Sequence, residues 1–227
     1  MTVRADCDVA IVGAGPAGCA AAIALARQGV RVTLLEKRRY PAHRLCGEFL
    51  STEVMDLFEH LGVAGAIRAA GPALMTTARL YTASGEVLET SLPGTALGLS
   101  RYRMDALLFE QACAAGADGR AGTTVRAVTG DLRSGFLVDT GDGMLAARVV
   151  LGAWGKRDRL DARLRRAWLT RRTVYVATKA HFDGVALPGR VELHAVPGGY
   201  CGLSHVEDGR VNACWVTRAD VLREAGG

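Results

Sequence analysis

The chain has 227 residues, 49% of them apolar, enough to bury a sizeable core as one large domain or one and a half ordinary ones. Its net charge of +5 is local: eight basic residues and two acids between Lys156 and Arg172 carry +6, which leaves the remainder close to neutral. No apolar run reaches the roughly 18 residues that span a bilayer and no secretory leader is visible, so a cytoplasmic protein is expected.

Cys7, Cys19, Cys46, Cys113, Cys201 and Cys214 show neither a CxxC pair nor regular spacing and read as free thiols rather than a disulfide frame. The five histidines lack ligand spacing, so no metal is expected. The basic segment reads as a solvated helix or connector, with a patch for anionic lipid, nucleic acid or an acidic carrier as the alternative. It lacks the regularly interleaved aromatics of a single-strand-binding groove, and no nucleic-acid partner is expected.

In chain order, Asp8–Val12 reads as a buried parallel strand, Ala17–Arg27 as a helix of small residues, and Val30–Leu35 as a second strand ending at Glu36. The turn Gly13-Ala14-Gly15-Pro16-Ala17-Gly18 joins the first two. Gly13 permits the tight turn, Gly15 lets amides approach a pyrophosphate, and Gly18 lets helix and strand pack closely. The helix N-terminus adds its positive end, and Glu36 would accept hydrogen bonds from ribose hydroxyls. Strand, glycines, helix, strand and acid in register point to a bound adenine dinucleotide, where a lone GxGxxG would not.

Arg38–Leu50 is a polar loop. Thr52–Leu61 and Gly65–Ala70 read as helices, capped by Ser51 or Thr52 and stopped by Gly62. The period then changes: Thr77–Thr82 and Glu86–Thr90 flank Ala83-Ser84-Gly85 as a hairpin. Helix returns over Tyr102–Ala115, then a strand at Thr124–Val128 and a hairpin of Phe136–Asp139 with Leu145–Val150. Val149–Ala153 reads as a returning strand. Val174–Phe182, Val191–Val196 and a hairpin about Glu207-Asp208-Gly209 follow. His181, His194 and His205 fall on strands, where packing or surface roles are expected; Tyr200 and Trp215 read as core or pocket wall. Val221–Glu224 reads as the first turns of a helix. A sheet that stops as its covering helix begins leaves apolar faces bare, which predicts an incomplete polypeptide and self-association through the exposed sheet.

These residues resemble the FAD-dependent oxidoreductases grouped with p-hydroxybenzoate hydroxylase, and more closely the geranylgeranyl-reductase-like branch. The likeness rests on the first βαβ unit, on Arg44-Leu45-Cys46-Gly47-Glu48-Phe49-Leu50, similar to that branch's K/R-x-C-G-E signature, and on Leu99–Leu107, similar to its S-R-x-x-x-D-x-x-L helix start. The resemblance implies a Rossmann-like α/β FAD-binding domain with a parallel sheet and an incomplete antiparallel β-sheet substrate domain. The expected segments are 1–72 and 99–160 for the FAD domain, 73–98 for an excursion into the substrate sheet, and 161–227 for the basic connector and partial substrate domain.

By resemblance FAD is held by Gly13, Gly15, Pro16, Ala17, Gly18, Glu36, Lys37, Arg44, Cys46, Gly47, Arg101 and Val125. Arg44 and Arg101 would approach phosphate or ribityl oxygens, Val125 the adenine, and Cys46–Glu48 the isoalloxazine. No catalytic residue is assigned; Cys46 and Glu48 are the candidates. Trp154-Gly155 stands where aromatic hydroxylases carry Asp-Gly, and Pro197–Leu203 resembles the reductase branch rather than the halogenases' W-x-W-x-I-P stretch. The later G-D motif has no counterpart before Gly227. The expectation is therefore a reductase or dehydrogenase acting on an apolar small molecule, such as an isoprenoid or polyketide-like compound, with NAD(P)H or another donor reducing the flavin. A flavin monooxygenase is the alternative chemistry, and a truncated, non-catalytic remnant with weak or no FAD affinity the alternative of another class.

Overall fold

The computed structural model describes residues 5–156, 158–170 and 173–226; Arg157, Arg171 and Arg172 of the basic segment lie outside them. The chain opens with β1 (Cys7–Val12), α1 (Pro16–Ala26), β2 (Val32–Glu36) and the short β3 (Phe49–Leu50). Helices α2 (Val54–His60) and α3 (Ala64–Ala69) precede the hairpin β4 (Ala73–Tyr81) and β5 (Val87–Gly98). Next come α4 (Arg101–Ala114), β6 (Asp118–Ala121), β7 (Ala127–Asp131), β8 (Gly135–Asp139) and β9 (Met144–Gly152). After α5 (Arg159–Arg163) and a 3-10 turn at Ala167–Thr170 follow β10 (Tyr175–Phe182), β11 (Arg190–Val196), β12 (Gly199–His205), β13 (Val211–Arg218) and α6 (Ala219–Glu224).

The chain divides into two compact units, Met1–Ala42 with Met104–Arg172 and His43–Arg103 with Thr173–Gly227. The sequence reading set its first boundary at 72/73. Phe49 and Leu50, however, pair with Gly98 and Leu97 in the second unit's sheet, which draws 43–72 to that unit.

In the first unit the strand order is β6-β2-β1-β9-β8-β7. The first four run parallel, and β7, β8 and β9 form an antiparallel meander. All five residues of β2 are buried, as expected of a parallel strand covered on both faces. Gly18, Cys19, Ala22 and Ile23 form the buried side of α1. Val12, Leu35, Val138, Leu145 and Leu160 meet in one core cluster; a fully buried Leu or Ile contributes about 1.5–3 kcal/mol.

The strand expected at Thr124–Val128 is displaced. Gly122 and Thr123 hydrogen-bond the carbonyls of Arg38 and Glu36 at the tip of β2, and regular pairing resumes only at Ala127. The strand that does pair with β2 is β6, Asp-Gly-Arg-Ala. As a short edge strand it needs no apolar alternation, so the sequence pattern concealed it.

The second unit's sheet runs β10-β13-β12-β11-β4-β5-β3, antiparallel except for the β4–β11 pair. Beyond Thr90 the strand β5 continues to Gly98, with a register break between Ser91 and Ala96 where Pro93 sits. Proline cannot donate to a ladder, so the expectation stopped short. The registers define rows of side chains on a single face. One row reads His181, Asn212, Ser204, Val191, Ala78, Thr90. The next reads Lys179, Cys214, Gly202, Leu193, Leu80, Leu88.

Candidate functional site

Each unit carries one constellation of chemistry-bearing residues. In the first unit it is the turn between β1 and α1. Gly13 has φ +100°, and an added Cβ would strike the Ala153 carbonyl and lie 2.6 Å from the Cα of Trp154. A Cβ on Gly18 would strike the Gly13 carbonyl. Close packing of turn, helix and β9 therefore requires both glycines. Gly15 is the N-cap and supplies no side-chain acceptor; Pro16 opens the helix and Ala17 is exposed beside it. The first-turn amides are thus left unclaimed by a cap, the arrangement that receives a phosphate.

Glu36 is buried at the end of β2. Its Oε2 accepts the Ala14 amide at 3.0 Å and its Oε1 the Arg38 amide at 3.1 Å. The Ala14 carbonyl is held in turn by the Tyr40 hydroxyl, and the Tyr40 ring lies 4.9 Å from that of Phe109. The carboxylate therefore fixes the glycine turn. Val125 follows the segment bonded to the tip of β2 and packs its side chain on the core cluster. Lys37 reaches Asp158 at 2.7 Å. Burial pushes the Asp158 carboxyl up, but the Lys37 ammonium and the Leu160 amide pull it below its ordinary value.

The remaining expected residues, Arg44, Cys46, Gly47 and Arg101, belong to the second unit with Glu48. Arg44 and Arg101 are half-buried there. Glu48 is 1% exposed and has φ +56°, a left-handed conformation that costs a non-glycine residue about 1–3 kcal/mol. Its amide meets Cys46 Sγ at 3.4 Å, and its carbonyl accepts the Leu99 amide at 3.2 Å. Its Oε1 accepts the Arg101 amide at 2.7 Å and the Lys179 ammonium, and its Oε2 lies 2.6 Å from His181 Nε2. Asn212, fully buried, donates through Nδ2 to the carbonyls of Cys46 (3.2 Å) and Gly47 (2.8 Å). Ser204 Oγ donates to Gly47 as well, at 3.3 Å.

The loop thus lies over the His181–Asn212–Ser204 row. Burial pushes the Cys214 thiol up in the neighbouring row; Cys46, Cys201 and Glu48 act in the same direction and Lys179 against it. The opposite face carries a second buried carboxylate, Glu192, between Arg190 (2.6 Å) and His194 (3.0 Å), with His194 stacked on Tyr81. A cavity of about 620 Å³ lies at the N-terminal ends of β1 and β9, among Asp8, Arg31 and Arg148, away from both constellations.

Sequence reasoning found Glu48 but missed Lys179, His181, Asn212 and Ser204. Alternation along β10 puts Lys179 and His181 on one face, and that was the available signal. Their partner lies 131 and 133 residues upstream.

Residues 6–181 match the FAD binding domain family. A menaquinone reductase of Mycolicibacterium smegmatis is 32% identical over 200 residues, which make up 84% of this chain and 45% of that protein. Among solved structures, the FAD-dependent myxobacterial chondrochloren halogenase aligns with TM-score 0.80 at 22% identity, over 96% of this chain and 54% of the other. A geranylgeranyl bacteriochlorophyll reductase-like protein of Thermoplasma acidophilum gives TM-score 0.76 at 20% identity, over 95% and 57%. The chain spans about half the length of these relatives, and the two structures speak for the fold. FAD is the family's cofactor, and the glycine turn with its uncapped helix and buried acid fits a dinucleotide. From sequence match and fold together, the chain belongs to the FAD-binding family of flavoprotein oxidoreductases and monooxygenases.

Proposed function

We propose that the chain works as an FAD-dependent reductase or dehydrogenase on an apolar small molecule of isoprenoid or polyketide-like kind. One observation carries the substrate class. Leu88, Leu80 and Leu193 are exposed side by side on one sheet face, and their row runs on through Gly202 and Cys214 to Lys179 beside Glu48. An exposed aliphatic row leading to a charged cluster suits a ligand with an apolar body and a polar head.

In this reading the amides at Gly15, Ala17 and Gly18, with Gly13 making the turn and Pro16 opening the helix, hold the FAD diphosphate. Glu36 takes the ribose, Val125 the adenine, and Lys37 flanks the acid. Arg44 and Arg101 approach phosphate or ribityl oxygens, with Cys46 and Gly47 beside the ring. Bound FAD supplies the two-electron chemistry; the protein binds, orients and shields. NAD(P)H or another donor reduces the flavin. The described cysteines are free and no described helix is long and apolar enough to cross a membrane, which supports a cytoplasmic setting.

The test is cofactor retention followed by turnover. The purified chain should show flavin absorbance, and FAD at 100 times its dissociation constant should stabilise it by about 2.7 kcal/mol, read as a raised melting temperature. An unmoved melting temperature would rule the reading out. Reoxidation of the reduced protein by 2-methyl-1,4-naphthoquinone, without a hydroxylated product, would favour reductase over monooxygenase.

A further inference from the structure

The Glu48 cluster contains more than a cofactor loop requires. We propose that His181, oriented by Glu48 and Lys179, is the proton-transfer residue of this site, exchanging a proton through Nδ1 with the oxygen of a quinone- or carbonyl-type substrate. The proposal rests on the flavoprotein reading above and deepens it.

The geometry fixes the tautomer. The Glu48 carboxylate accepts the Arg101 amide and the Lys179 ammonium and has no hydrogen to give. His181 Nε2, 2.6 Å from its Oε2, is therefore the donor, and in the neutral ring Nδ1 carries the lone pair. No described residue hydrogen-bonds that nitrogen. A carboxylate serving structure alone would be satisfied by Lys179 and the Arg101 amide. Here an imidazole, its side chain 11% exposed, is added with one nitrogen tied and the other bare. Carboxylate-fixed imidazoles of this kind act as general acids and bases.

The His181 side chain itself reaches solvent, and a second imidazole of the same unit lies beside it. The exposed His43 sets its ring edge-on to His181, centroids 5.6 Å apart, and lies 4.6 Å from the Tyr102 ring. Among the described residues of this unit, titratable groups at the cluster include Lys179 on the same strand, Glu48 and Cys46 of the loop, His43 before it, and Cys214 on β13, and the Arg101 amide donates to Glu48.

The step balances. Bound reduced FAD would supply a hydride, and a substrate carbonyl that gained those two electrons and one hydrogen would be left with an anionic oxygen. His181, having first taken a solvent proton at Nδ1 to become imidazolium, gives that proton to the oxygen, forming O–H, and returns to the neutral ring with hydrogen on Nε2. In the oxidising direction neutral Nδ1 takes the hydroxyl proton as the substrate gives up a hydride, for which bound oxidised FAD would be the acceptor.

Two measurements test this. Ring ¹⁵N–¹H correlation spectra of the cofactor-free chain, assigned with His181→Gln, should show His181 with hydrogen on Nε2 and a bare Nδ1. In the FAD-loaded, chemically reduced protein, reoxidation by 2-methyl-1,4-naphthoquinone should slow about 100-fold in His181→Gln and lose the pH dependence shown by the wild type. The FAD-induced melting shift should stay intact, and Glu48→Gln should weaken the tautomer preference. Hydrogen on Nδ1 in place of Nε2 in the neutral ring of the wild-type chain would overturn the proposal by itself, whether or not the variants fold. So would an unchanged rate and pH profile in a His181→Gln protein that still binds FAD. Failure of FAD to stabilise the wild-type chain would instead bring down the flavoprotein reading and the role of His181 with it.

Discussion

Gly18 and Gly13 leave no room for even one carbon. Gly18→Ala places a methyl group on the Gly13 carbonyl, and Gly13→Ala adds a left-handed φ to contact with the Ala153 and Trp154 backbone. Neither neighbour is the flexible end of a side chain, so the turn itself must shift. Each substitution should cost about 1–3 kcal/mol and abolish the FAD-induced rise in melting temperature. Gly15 replaced by a bulky residue should lose flavin retention too, and unchanged retention would mean the diphosphate lies elsewhere. This part of the site was legible in the sequence because its contacts are local: turn, helix start and acid fall within 24 residues of one another, Gly13 to Glu36. Glu48 was visible only as a motif letter. What it does depends on Lys179 and His181, which strand pairing brings to it from far along the chain.

At the scale of elements, helix α4 starts between two buried acids. Glu207 accepts the Ser100 amide at 2.7 Å and the Ser100 hydroxyl, whose oxygen in turn accepts the Arg103 amide; Glu48 takes the Arg101 amide. Carboxylates at a helix N-terminus satisfy its orphan donors and complement its dipole. Burial pushes the Glu207 carboxyl up, but the Ser100 hydroxyl and amide outweigh it and hold the group below the ordinary carboxylate range. A carboxyl lowered on folding contributes stability that is present above its unfolded value and is lost as the pH falls through its folded value. Glu207→Gln should therefore lower stability by about 1–3 kcal/mol at neutral pH and flatten the acid side of a melting-temperature-against-pH curve. A variant curve parallel to the wild type would refute this. The helix was readable from the sequence to within a residue at each end, but its caps were not, since Glu207 lies seven strands further along the chain, β6 to β12. Strand β6 and the far half of β5 escaped for a different reason: an edge strand and a proline-interrupted one both lack the alternation that betrays a half-buried strand.

At the scale of the whole molecule, the described residues build two sheets, each from discontinuous stretches of chain. The aliphatic row of the second sheet gives the prediction that belongs here. Leu193→Asp should raise the KM for an apolar naphthoquinone by about 10-fold or more, the equivalent of one buried leucine, with little change in kcat. Flavin binding should be unaffected, because Leu193 stands in the second unit's sheet and pairs with no expected FAD residue in the register. An equal fall in kcat would mean the row serves the chemistry rather than binding.

The parallel β4–β11 ladder joins a hairpin complete by Gly98 to a strand that begins only at Arg190. During translation the early hairpin must therefore wait, its edge unpaired, while some ninety residues leave the ribosome. Glu48 waits with it, a carboxylate whose ammonium and imidazole have not yet been made. Long-range pairing of this kind is slow and leaves the nascent chain open to wrong partners. A chaperone that shields that hairpin edge should accordingly raise the soluble yield of this protein more than one that engages the amino-terminal strands.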